Sequence, residues 1–213
     1  MKVILVNGSP HEKGTTWAGL DEIARTLEKE GVEAEIFWIG NKAVGGCIGC
    51  GGCETTGRCV FGGIVNVFLD KAESADGFVF GAPVHYAGPN GNMKSFMDRV
   101  FYADAHSFRL KPGACIAAAR RAGVVTTMDD LNKYLTISEM PVVSSTYWNM
   151  VFGFNVEEAK QDAEGMRTMR NIGHNMAYLL KCMEAAKAAG IEKPEGEPGV
   201  WTHFIGNGTV SKR

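Results

Sequence analysis

The feature that most restricts this chain is a regular alternation of short apolar runs with amphipathic helical stretches. Lys2–Val6 is an apolar run stopped at once by Asn7-Gly8-Ser9-Pro10, as expected of a strand buried on both faces. Thr15–Glu30 follows, with Trp17, Leu20, Ile23, Ala24 and Leu27 at helical spacing, and Gly31 stands where a C-cap residue is expected. The same rhythm predicts further strands at Glu33–Trp38, Gly77–Ala82, Gly113–Ala119 and Val142–Ser145. It predicts helices at Ile64–Ala75, Asn92–Ala105, Thr127–Ile137 and, as one long element, Glu157–Ala189. Strands separated by helices run parallel, so the pattern predicts an α/β fold with a doubly wound, five-stranded parallel sheet. The natural strand order for this count is 2-1-3-4-5. Residues 1–189 read as one domain with a cysteine-rich loop, 40–63, inserted, and 190–213 read as an irregular Pro/Gly-rich tail.

The balance of charges excludes some functions. The 213 residues carry a formal net charge of -2, without the basic excess of a nucleic-acid footprint. Nor is the chain acidic enough to dock on basic partners by long-range attraction. The first apolar run is too short for a signal peptide, and no stretch reaches the apolar length needed to span a bilayer. The expected compartment is the cytoplasm, with no membrane or nucleic-acid partner. Thiols stay reduced there, so six cysteines point to metal or redox chemistry before disulfides.

In an open parallel sheet, ligands bind beyond the carboxyl ends of the strands, where the strand order reverses. The loop after the first strand, Asn7 to Thr16, is therefore the first candidate site. Gly8 and Gly14 let backbone approach a ligand, while Ser9, Thr15 and Thr16 offer hydroxyls beside Pro10. The loop runs into a helix N-terminus, whose free N–H groups and positive dipole end suit a phosphate. A Walker A loop is excluded because the order is Lys13-Gly14-Thr15, and the G-x-G-x-x-G fingerprint does not follow this strand. One phosphate suits this loop better than a triphosphate or dinucleotide; the alternative is a polar turn whose hydroxyls cap the helix. After the third strand, Pro83-Val84-His85-Tyr86 offers flat side chains for a planar ring, or a Tyr86 that packs at the loop base. After the fourth, Arg120-Arg121-Ala122-Gly123 suggests anionic or carbonyl-rich chemistry, or two solvated arginines.

Taken in order, NGSPHEKGTT, CIGCGGCETTGRC, APVHYAGPNGNMKSFMDR, AARRAG and SSTYWNMVFG resemble the NADPH-dependent FMN reductases of the flavodoxin superfamily. Within these, the chain is most similar to the iron–sulfur flavoproteins, over roughly residues 1 to 153. The resemblance implies a flavodoxin-like fold and FMN as cofactor, its phosphate held by Ser9, Gly14, Thr15 and Thr16. It implies that Pro83, Val84, His85 and Tyr86 line the isoalloxazine, with Ala119 to Gly123, including Arg120 and Arg121, closing the other edge. Where members of that family often carry two acidic residues after the fourth cysteine, this chain has Gly62-Gly63.

The four clustered cysteines follow the pattern C-x2-C-x2-C-x5-C at Cys47, Cys50, Cys53 and Cys59. The close pitch of the first three is that of a ferredoxin run, and intervening glycines give the backbone freedom to wrap a cubane. Cys59 is followed by Val60 rather than proline, so all four thiols are candidates for a single [4Fe–4S] cluster. An empty thiol loop and a zinc site remain the alternatives; structural zinc usually joins two ligand pairs across a longer spacer. Cys115 and Cys182 read as core thiols.

The resulting expectation is an oxidoreductase. Electrons pass from NAD(P)H or a protein donor through FMN to a quinone, dye or other acceptor. The alternatives are a non-enzymatic electron carrier and a redox-signalling module. No catalytic acid or base is singled out; Tyr86 and Arg120 are the candidates for tuning the flavin. The apolar run Tyr147, Trp148, Met150, Val151, Phe152 and Phe154 and the apolar side of the last helix suggest a homodimer or homotetramer.

Overall fold

A computed structural model describes residues 1–197 of the chain. The strands are β1 (Lys2–Asn7), β2 (Glu33–Trp38), β3 (Gly77–His85), β4 (Gly88–Pro89), β5 (Gly113–Ala119) and β6 (Met150–Phe152). The helices are α1 (Thr15–Lys29), α2 (Ile64–Ala72), α3 (Gly91–Asp104), α4 (Val124–Ile137), α5 (Val156–Ala159) and α6 (Ala163–Ala188). The main sheet is parallel in the order β2-β1-β3-β5-β6, and the two-residue β4 folds back antiparallel on β3. Setting that hairpin aside, this is the 2-1-3-4-5 order expected of a doubly wound sheet.

Alternate residues of each strand serve opposite faces, as the pleat requires. Ile4, Val6, Phe78 and Phe80 pack with Phe68 of α2, Phe96 and Met97 of α3, and Leu131 of α4. Val3, Leu5, Val79 and Ile116 pack instead with Leu20, Ile23 and Leu27 of α1 and Met169, Ile172 and Met176 of α6. Both faces are buried, which explains why β1 reads as a continuous apolar run rather than an alternating one. Phe68 anchors the first face, meeting the Phe96 ring edge-on at 5.2 Å between centroids.

Two expected elements differ. Val142–Ser145 does not form the fifth sheet strand. It contributes one bridge, Gly113 to Val142, with Val143 N donating to Gly113 O at 2.8 Å. The chain then leaves the sheet because side chains take over the ladder's bonding. Ser145 Oγ lies 2.7 Å from both Tyr147 O and Asn149 Oδ1, and Asn149 Nδ2 donates to Cys115 O at 3.1 Å. Regular pairing resumes at Met150–Phe152.

The expected single helix Glu157–Ala189 is two helices, α5 and α6. Asp162 divides them, accepting from Gly165 N at 2.9 Å as the N-cap of α6 and from Phe152 N at 2.8 Å at the end of β6. Much of the apolar side of α6 is covered within this chain: Met166, Met169, Ile172, Met176 and Leu180 are buried, and Leu179 and Met183 are half-buried. Of the apolar run before it, Met150 and Val151 are buried, and Tyr147, Trp148 and Phe154 are exposed. Residues 191–197 have no regular secondary structure, and 198–213, most of the expected tail, lie outside the described residues. No described helix is long and apolar enough to cross a membrane.

Candidate functional site

Because β1 pairs with β2 on one side and β3 on the other, the topological switch lies between the carboxyl ends of β1 and β3. The Asn7–Thr16 loop occupies this place and is held from several directions. The buried Asn7 side chain accepts from Ser9 N at 3.0 Å and donates to Glu12 O at 2.9 Å, closing the loop on itself. Ser9 Oγ accepts from His11 N at 3.1 Å, and Trp38 Nε1 donates to Ser9 O at 2.8 Å. Gly8 N donates to Gly81 O at 2.9 Å, and a Cβ on Gly8 would lie 2.6 Å from Met93 Sδ, so glycine is required by close approach.

The helix that follows is open to a ligand. Gly14 is the N-cap of α1 and supplies no side-chain cap, so the first-turn N–H groups lack a capping acceptor. Thr15 Oγ1 donates to Gly153 O at 3.1 Å, which draws the end of the SSTYWNMVFG segment against the loop. Thr16 is buried, and its methyl group is packed against Gly81. Pro10 and Gly14 are half-buried at the rim.

The two expected ring-binding loops also meet. His85, Tyr86, Ala87 and Gly88 make the tight turn from β3 to β4, and Tyr86 and Ala87 both take left-handed backbone, with φ of 49° and 61°. Non-glycine residues there carry strain, and Tyr86 is wholly solvent-exposed, 107% of its reference area. Gly123, at φ 87°, packs against this turn: a Cβ would lie 2.6 Å from Ala87 Cα and 2.7 Å from Val84 Cγ1. Pro83 and Val84 are half-buried, whereas His85, Arg120 and Arg121 are exposed. Among the described residues neither arginine side chain has a hydrogen-bond or ion-pair partner, so both are free to meet an anion.

Asn90 was not singled out by sequence reasoning. It donates from Nδ2 to Gly8 O at 2.8 Å and from its backbone N to Pro83 O at 3.2 Å, joining the first and third loops. Its Oδ1 is buried without a hydrogen-bond partner among the described residues. The only sequence signal was its place in the Gly88-Pro89-Asn90-Gly91 turn, which reads as punctuation.

The cysteine loop forms a second site along α3. Asn92 fastens it, accepting from Val44 N at 3.1 Å and donating to Lys42 O at 3.0 Å. Cys47, Cys50, Cys53 and Cys59 all line one cleft of about 410 Å³, together with Arg99 and Tyr102 of α3. Gly49 N donates to Cys47 Sγ at 3.5 Å, and Arg99 Nε donates to Cys59 Sγ at 3.2 Å. Cys53 Sγ donates to Tyr102 O at 3.4 Å, and burial pushes its thiol up from the usual range. Among the described residues, no three His, Cys, Asp or Glu side chains converge tightly enough for a single metal ion. The four thiols therefore share a cavity rather than a point. Cys115 is a core thiol, raised by burial, while Cys182 is exposed on α6 and not the core residue expected.

These arrangements agree with the comparisons to known proteins. The sequence pattern of the NADPH-dependent FMN reductases matches residues 1–155. An iron–sulfur flavoprotein of Methanocaldococcus jannaschii is 31% identical over 192 residues, covering 86% of this chain and 100% of the relative. Among solved structures, a flavone reductase superposes with a TM-score of 0.68 at 20% identity, over 87% of this chain and 65% of that one. An archaeal flavodoxin superposes with a TM-score of 0.59 at 16% identity, over 85% and 99% respectively. At such identities the structural likeness concerns the fold alone, and the fold is flavodoxin-like. The extent of the sequence match carries the assignment further: the chain belongs to the NADPH-dependent FMN reductase family.

Proposed function

We propose that the protein is an FMN-dependent oxidoreductase that accepts electrons from NAD(P)H or a protein donor and delivers them to a quinone or similar acceptor. The observation that carries this reading is the uncapped N-terminus of α1, set beside the joined β3–β4 and Gly123 turns at the sheet's switch point. When bound, FMN supplies the carrier for hydride or single electrons. The residues present fit it. Ser9, Gly14, Thr15 and Thr16 would hold its phosphate with hydroxyls and backbone N–H groups, and Pro10 would border it. Pro83, Val84, His85 and Tyr86 would line the ring, with Arg120 and Arg121 placed to meet its carbonyl-rich edge across Gly123. Asn90 keeps these two parts in register, and its Oδ1 is a buried acceptor without a partner among the described residues.

The cysteine cleft fits a cluster better than a single ion. It offers four soft thiols, N–H donors toward two of the sulfurs, and a volume rather than a point of convergence. A [4Fe–4S] group held by Cys47, Cys50, Cys53 and Cys59 would add one-electron transfer to the flavin's repertoire. The exposed rim of Ile48, Val60, Phe61 and Tyr102 favours a second reading, in which the chain exchanges electrons with another protein without turning over a substrate.

Anaerobically purified protein tests both. The expected result is FMN together with about four irons and four sulfides per chain, and NAD(P)H oxidation coupled to a quinone or dye. Cys53→Ala is expected to remove most of the iron and leave FMN bound, because the flavin phosphate loop lies on a different element. Flavin without iron after reconstitution refutes the cluster. Bound FMN with no NAD(P)H turnover leaves the carrier reading in its place.

A further inference from the structure

Arg99 sits on α3 two turns beyond Asn92, about 10 Å along the helix, and only 8% of it is exposed. Guanidinium is permanently charged, and burying it is costly unless an anion compensates. Among the described residues no carboxylate lies within ion-pair distance of it. The neighbouring Asp98 is engaged by the Tyr134 hydroxyl instead. The bonds of Arg99 run to Gly62 O, at 2.8 Å from Nη2, and to Cys59 Sγ, at 3.2 Å from Nε. The Phe61 ring covers its remaining side, 5.9 Å from Cζ to centroid. A buried cation whose partners are a carbonyl, an aromatic ring and a thiol has no carboxylate at ion-pair distance among the described residues. It lines the same cleft as the four loop thiols.

We infer that Arg99 is the positioning and charge-balancing residue of the cysteine cleft, set to offset a thiolate-bound anionic cluster and to orient the Cys59 sulfur. The inference rests on the proposed cluster. A cluster held by four thiolates is net negative and becomes more so when it gains an electron. A fixed cation donating an N–H to one of its sulfurs therefore favours the reduced form, and outer hydrogen bonds of this kind are among the protein's levers on potential. Arg99 lines the cysteine cleft rather than the loops that follow β1, β3 and β5, so its role there runs through Cys59 and the field of its charge.

The test compares wild type, Arg99→Met and Arg99→Lys, each reconstituted anaerobically, by iron and FMN content and by a potential titration of the cluster signal. Arg99→Met is expected to make cluster reduction at least tenfold less favourable, a drop of about 59 mV for a one-electron couple. Arg99→Lys is expected to lose less, because it keeps the charge and gives up the directed N–H. Loss of iron from Arg99→Met alone, with FMN retained, supports the inference only if the potential of Arg99→Lys also falls below wild type, since lysine keeps both a charge and N–H donors. A wild-type potential in Arg99→Met, or equal potentials in the two variants, overturns it. Loss of iron from both variants with FMN retained assigns Arg99 to holding the loop through Gly62 O, and overturns it as well. Wild-type protein without iron refutes the cluster itself, an outcome read before either variant is made.

Discussion

Gly123→Ala probes the joint between the two ring-binding loops. At φ 87° an alanine has left-handed backbone, which costs about 1–2 kcal/mol relative to glycine. Its methyl carbon would also lie 2.6 Å from Ala87 Cα and 2.7 Å from Val84 Cγ1, against the ~3.5–4.0 Å that carbon atoms prefer. Neither neighbour is the free end of a flexible side chain, so the β3–β4 turn must move; overpacking of this kind costs about 1–3 kcal/mol. Alanine recovers about 0.4–1 kcal/mol by restricting the unfolded chain. The net expectation is a loss of about 1–5 kcal/mol in the flavin-free protein. Urea denaturation of wild type and variant without FMN measures it as a lower midpoint at unchanged slope. Titration with FMN, followed by quenching of flavin fluorescence, is expected to show weaker binding, because the displaced turn carries Tyr86. A midpoint shift worth less than about 0.5 kcal/mol with unaltered FMN affinity would refute both the contact and the placement of the ring.

Three further outcomes are expected. Changing Thr15 and Thr16 together to alanine is expected to weaken FMN binding by about 1.5–3 kcal/mol for each hydrogen bond lost to the phosphate; an unchanged dissociation constant rejects that placement. Glu35 is held below its ordinary value of 4.5, chiefly by Lys2 and also by Lys71, so its stabilisation is present above that value and fades as pH falls through the lower folded-state value. Glu35→Gln is therefore expected to lower stability at neutral pH and to flatten its acid dependence, and parallel wild-type and variant curves would contradict this. The exposed Tyr147, Trp148 and Phe154 are expected to lie in a contact between copies, so light scattering after size exclusion should give a dimer or tetramer, and a monomer at micromolar concentration counts against it.

The sequence by itself determined the alternation of strands and helices and pointed to a doubly wound sheet, while the strand order itself was shown by the structure. Each buried strand needs apolar residues on both faces, so β1, β3 and β5 stand out as continuous runs, and the amphipathic α1 declares its buried side. It also marked the ligand-facing loops, since glycine, proline and hydroxyl residues at strand ends have local reasons to be there. What it did not determine depends on bonds between residues far apart in the chain. The break between α5 and α6 comes from one carboxylate, Asp162, that caps a helix and also bonds Phe152 N of the sheet. The displacement of the last strand comes from Asn149 reaching Cys115 O across the sheet. Asn90, joining Gly8 to Pro83, looked like turn punctuation, because its partners lie 82 residues away for Gly8 and on the far side of a turn for Pro83. Arg99 looked like one charge on a helix. Only the tertiary structure, by burying it beside Cys59 and giving Asp98 to Tyr134, left that charge without a carboxylate partner among the described residues.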